Sequence, residues 1–166
     1  MFDEALIRGT ARLFVACYVG RLCFDAAGWR DATSQRIARW LWTSGCLALV
    51  LHVAVAFHFQ HGWSHAAAFE HVRLRTLRET GWDSGVGPYV NYAFGLLWLA
   101  DTLLWWRRID WSEKRSSYWT VQIVFAFLMS QATAAFGPPF WMPLWVAVVL
   151  LLIVLRLMNY RSSLGS

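Results

Sequence analysis

The sequence predicts an all-α fold, a polytopic membrane helix bundle with four or five transmembrane helices and one interfacial amphipathic helix. Apolar residues make up 58% of the 166 residues, and charged residues only 15%. Soluble domains contain about 25% charged residues, and disordered chains combine high charge with low hydrophobicity. The composition therefore argues against both classes. The chain is expected to form a single integral membrane domain over residues 1–166.

Four uncharged or nearly uncharged stretches are long enough to cross a bilayer. A helix rises about 1.5 Å per residue, so about 20 residues cross a hydrocarbon core of about 30 Å. The stretches are 40–59, 86–106, 117–136 and 139–155. Only the second contains an Asp, Glu, Lys or Arg residue, Asp101. Proline disfavours helix in the residue before it, so Gly137-Pro138-Pro139 predicts a turn that pairs the last two helices as a hairpin.

The N-terminal stretch 5–27 is apolar but carries Arg8, Arg12, Arg21 and Asp25. Arg21 and Asp25 are four residues apart, so they can pair on one helix face. The two other arginines can extend toward the near interface. Two interpretations stay open, a first membrane span and an amphipathic helix lying in the interface.

Basic residues predict the orientation, because cytoplasmic loops of membrane proteins are enriched in Lys and Arg. Nine lie on the side where span 40–59 begins: Arg30, Arg36, Arg39, Arg107, Arg108, Lys114, Arg115, Arg156 and Arg161. The opposite side has Arg73, Arg75 and Arg78. Arg8 and Arg12 are added to this side if stretch 5–27 crosses the membrane. The C-terminus is therefore expected in the cytoplasm and loop 60–85 outside, as in a bacterial inner-membrane protein. No run of like charges indicates a nucleic-acid partner.

All five histidines fall between positions 52 and 71. If one helix continues through Gly62, then His58, His61 and His65 share an arc of about 60°. Imidazoles four residues apart can bind one metal ion, and His71, Glu70 or Asp83 would complete the site. Neutral imidazole suits copper, zinc or iron.

In a second interpretation, the three histidines do not lie on one helix. Ser64 is a good N-cap and Gly81 a good C-terminal residue, which predicts a separate amphipathic helix over 65–80. The chain then bends at Gly62-Trp63, and the histidines serve structural roles at the interface.

Three functions remain open from the sequence. A non-enzymatic accessory or scaffold subunit fits the lack of a complete catalytic constellation, and it would contact the lipid bilayer and a membrane-protein partner or a second copy. A metal-binding protein would use the histidines for redox chemistry or metal handling. A transporter component would line its path with the intramembrane polar residues Asn91, Asp101 and Gln131.

Overall fold

The computed structural model describes residues 2–107, 115–131, 133 and 137–164. These residues form six α-helices, and no β-strand occurs among them. The helices are α1 (Phe2–Ala27), α2 (Ala32–His61), α3 (His65–Thr80), α4 (Gly87–Trp106), α5 (Arg115–Ser130) and α6 (Trp141–Leu164). The predicted all-helical class is confirmed. Arg108, Lys114 and part of the predicted span 117–136 lie outside the described residues.

Local capping signals place the helix ends. The Asp31 carboxylate accepts hydrogen bonds from the backbone N–H groups of Thr33 and Ser34, at 3.1 and 3.0 Å, and so begins α2. Ser64 caps α3 by accepting from Ala67 N at 3.2 Å, and Gly81 ends it with a φ of 75°. Helix α3 thus has the bounds that the capping pattern predicts. At the predicted turn, Trp141 N donates to Pro138 O at 3.1 Å.

An aromatic cluster forms the core where four helices meet. Phe125 of α5 is fully buried, and its ring centroid lies 5.0 Å from Trp42 of α2 and 5.1 Å from Trp98 of α4. Tyr18 of α1 completes the cluster at 5.9 Å from Phe125. Side chains from α1, α2, α4 and α5 therefore pack around one centre, whereas α6 packs against α1 at the edge of the bundle.

Two of the described helices are long and apolar enough to cross a membrane by length and composition alone, α2 and residues Trp141–Ser162 of α6. The predicted number of four or five spans is not confirmed. Helix α1 carries several charges, α4 contains Asp101 and many Trp and Tyr residues, and the described part of α5 is only 16 residues long.

Candidate functional site

The histidine segment is divided between two helices. Gly62 and Trp63 both adopt positive φ values, 53° and 60°, so α2 ends and the chain turns before Ser64 begins α3. The turn is closed by Trp63 N, which donates to Phe57 O at 3.0 Å. The continuous helix that would align His58, His61 and His65 therefore does not exist.

Two of the histidines make separate local contacts along α2. The Nδ1 atom of His52 lies 3.1 Å from Thr10 Oγ1 and 3.2 Å from the backbone oxygen of Ile7, and these contacts link α2 to α1. In the last turn of α2, His58 Nδ1 accepts a hydrogen bond from Trp63 Nε1 at 3.2 Å. Both rings are thus engaged in helix packing or in the turn.

His61 and His71 are the two imidazoles that the turn brings together. Their ring centroids lie 5.2 Å apart, and His61 Nδ1 is buried without a hydrogen-bond partner among the described residues. His65 points instead to an aromatic pair, 5.1 Å from Tyr89 and 5.7 Å from Tyr92.

The two carboxylates expected to complete a metal site are bound by one arginine. Arg73 donates to Glu70 at 2.8 and 2.9 Å and to Asp83 at 2.7 and 2.9 Å. The hydrogen bond from Arg73 lowers the pKa of Glu70. This ion triad ties α3 to the segment that leads into α4.

The predicted metal site is therefore not supported. Within the described ranges, no three His, Cys, Asp or Glu side chains are grouped so that they could hold a metal ion. The physical reason is the turn at Gly62-Trp63, which leaves two facing imidazoles, while Arg73 engages both candidate carboxylates.

A buried polar cluster lies at the opposite end of the bundle. Asp25 is 8% exposed, and it pairs with Arg21 one turn earlier, as the spacing predicts. Its second oxygen, Oδ2, accepts a hydrogen bond from Tyr118 of α5 at 2.9 Å, and Arg30 approaches within 3.5 Å. The carboxylate is thus surrounded by donors from both sides.

Two guanidinium groups flank the indole of Trp105 in this region. Arg21 lies 4.7 Å and Arg39 5.5 Å from the ring centroid, within the range of cation–π attraction. Helices α1, α2 and α4 therefore meet at one side chain.

A cavity of about 20 Å³ adjoins the cluster and is lined by Arg21, Asp101, Tyr118 and Gln122, among others. Asp101 is 7% exposed there. Gln122 Oε1 is a buried acceptor and Trp42 Nε1 a buried donor, and neither has a partner within the described part of the chain. A cavity of this volume can hold one water molecule.

The three predicted intramembrane polar residues do not line a common path. Asp101 faces the buried cavity, but Asn91 on α4 and Gln131 just beyond α5 are both exposed on the outside of the bundle. The spacing of Arg21 and Asp25 predicts their pairing, whereas no local pattern in the sequence indicates their partners Tyr118 and Trp105.

The cluster has the chemistry of a structural ion network, because its charges are matched by donors, acceptors and an aromatic ring. Comparisons of the chain with protein-family models, with curated proteins and with solved structures found no match.

Proposed function

We propose that the chain is a small polytopic protein of the bacterial inner membrane and acts as a non-enzymatic accessory or scaffold subunit. In this proposal α1, α2, α4, α5 and α6 cross the bilayer, and α3 lies at the exterior interface. The C-terminus is cytoplasmic, as the distribution of basic residues predicts.

The apolar surface of α6 supports the membrane location. Six large apolar residues along one side of this helix are each at least half exposed: Val146, Val149, Leu150, Ile153, Val154 and Leu157. A continuous apolar surface of this kind is rare on soluble monomers and is typical of surfaces that contact lipid or another protein. The exposed apolar face of α6 covers several helical turns, and contact with lipid explains a face of this length.

Packing around the aromatic cluster supports the additional spans. Tyr18, Trp98 and Phe125 come from α1, α4 and α5, and each touches the same central region as Trp42 of α2. Trp42 is the third residue of the predicted span 40–59, so α1, α4 and α5 pack against the membrane-spanning part of α2 near its N-terminal end. The pairing of Arg21 with Asp25 lowers the cost of placing α1 in the bilayer, because intramembrane charges are tolerated when paired.

The observation that carries the scaffold role is a pair of exposed amides on neighbouring helices. Asn91 lies near the start of α4 and Gln131 just after α5, at the same end of two helices that touch through Phe94 and Phe125. Neither amide makes a hydrogen bond within the described ranges. Amides on apolar faces bond across to partner helices in membrane proteins, each contributing about 0.6 kcal/mol.

Site-specific photo-crosslinking tests the scaffold proposal. A benzoyl-phenylalanine placed at position 91 is expected to give a discrete protein adduct in native membranes, whereas the same probe at position 150 on α6 gives only lipid adducts. Replacing Gln131 with Leu should weaken the adduct formed at position 91. Lipid adducts alone at both positions would contradict a partner at this face.

A further inference from the structure

We propose that the groove between α1 and α6 binds one acyl chain of an anionic phospholipid, with the lipid phosphate at Arg12. This inference rests on the proposed membrane location. It adds one specific lipid site, which is distinct from the partner face at Asn91 and Gln131 and from the lipid-exposed side of α6.

The groove is a long apolar cavity of about 310 Å³. Ala16 and Val19 of α1 form one wall, and Leu144 and Val148 of α6 form the other. From Phe140 to Val148 the groove extends along α6 for about 12 Å, from the start of the predicted span 139–155 to its centre, which is most of the roughly 15 Å of one leaflet. The length therefore matches a chain that enters from one leaflet.

The volume of the groove selects a hydrocarbon chain over a helix. One turn of an α-helix with side chains is about 10–12 Å wide and about 5.4 Å long, so it fills about 400–600 Å³, more than the whole groove of about 310 Å³. The groove therefore cannot accommodate a helix, whereas it can hold a single hydrocarbon chain.

Arg12 provides the charge that selects the headgroup. Among the residues that the structure describes, it is the only charged one that lines the groove, and it lies at the end where α6 begins. Its guanidinium sits over the ring of Phe140, 5.8 Å from the centroid, which holds the group at the mouth of the groove.

Arg12 makes no ion pair within the described part of the chain, whereas the neighbouring arginines on α1 are paired, Arg8 with Glu4 and Arg21 with Asp25. A guanidinium binds phosphate through two parallel hydrogen bonds. In phosphatidylcholine the choline cation repels Arg12 and competes for the same phosphate, so a headgroup without a cation complements Arg12 better.

Lipid titration of the detergent-purified full chain, followed by native mass spectrometry, tests the proposal. Dioleoyl phosphatidylglycerol is the anionic probe and dioleoyl phosphatidylcholine the zwitterionic one. The wild type is expected to bind one phosphatidylglycerol about tenfold more tightly than phosphatidylcholine, a preference comparable with one hydrogen bond to a charged group. Arg12→Gln should remove this preference, and the control Arg8→Gln should keep it.

Filling the groove tests the acyl-chain half of the proposal. Ala16→Phe should abolish tight binding of both lipids, while Leu13→Phe should not, because Leu13 does not line the groove and is already 52% exposed. Leu144→Trp fills the groove from α6 and replaces the first variant if that one fails to fold.

Equal binding of the two lipids by the wild type, or undiminished binding by the filled variants, would overturn the proposal. Its failure is distinguishable from failure of the membrane location. A protein that resists extraction with alkaline carbonate but shows no lipid preference refutes only the groove, whereas a protein released by carbonate refutes the proposed function as well.

Discussion

Replacing Gly45 with alanine is expected to destabilise the bundle by overpacking α2 against α4. A Cβ added at Gly45 would lie 2.6 Å from Cζ2 of Trp98 and 3.1 Å from Cβ of Cys17. Carbon atoms prefer separations of about 3.5–4.0 Å, so the indole must move by about 1 Å. Cys17 closes the other side, so α2 cannot retreat toward α1.

The indole has little room to move. Trp98 is fully buried, with ring centroids of Trp42 and Phe125 only 5.0 and 5.1 Å away. Overpacking of this kind lowers the free energy of unfolding by about 1–3 kcal/mol. For a chain of this size each 1 kcal/mol lowers Tm by about 2–4 °C, which predicts a drop of about 2–12 °C.

The buried cysteines provide the assay. Cys17 and Cys46 are free and buried, so a thiol-reactive fluorogenic dye reports unfolding on heating in detergent. Gly95→Ala is the matched control, because a Cβ there meets no atom within 4 Å. Equal Tm values for the two variants would refute the packing of Trp98 against α2.

Three further predictions follow from the same structure. Phe125→Ala should lower the free energy of unfolding by about 3–5 kcal/mol, because it empties the centre of the aromatic cluster. Phe127 is 59% exposed and should tolerate alanine in the same thermal assay. Asp25→Ala should lower the free energy of unfolding by about 3–5 kcal/mol, because it leaves Arg21 buried without its partner. Adding Arg21→Met should recover most of this loss, and no recovery would argue against the pair. Hydrogen bonds from Ser34 hold the pKa of Asp31 below its usual value of 3.8. Its stabilising effect is therefore complete above pH 3.8 and is lost as the pH falls through the lower folded value. Asp31→Asn, which caps without titrating, should remove that part of the acid sensitivity of Tm.

The ends of α3 were predictable from the sequence because capping depends on residues a few positions apart. Ser64 and Gly81 mark those ends in the sequence, and the structure has α3 over the same range. The pairing of Arg21 with Asp25 was predictable for the same reason, since four residues make one helical turn.

The metal site is not supported because it depended on a helix continuing through one glycine. Gly62 is a residue that a helix interior tolerates and a helix end favours, so both interpretations were open. Trp63 also adopts a left-handed φ of 60°, which is uncommon for a residue with a side chain. No local pattern distinguishes these cases.

The partners of Asp25 were beyond sequence reasoning because they come from distant parts of the chain. Tyr118 follows Asp25 by 93 residues, and its aromatic character fits an interface position equally well. The exposure of Asn91 and Gln131 likewise depends on how α4 and α5 rotate, which periodicity does not determine when almost every position of a helix is apolar.

Membrane topology is the most direct test of a five-span bundle with α1 crossing the bilayer. Single cysteines at positions 2, 78 and 162 in a cysteine-free background would be labelled in intact cells with a membrane-impermeant maleimide. The account predicts labelling at 2 and 78, and labelling at 162 only after permeabilisation. Protection at position 2 together with labelling at 78 would show that α1 does not cross, and labelling at 162 in intact cells would contradict the orientation.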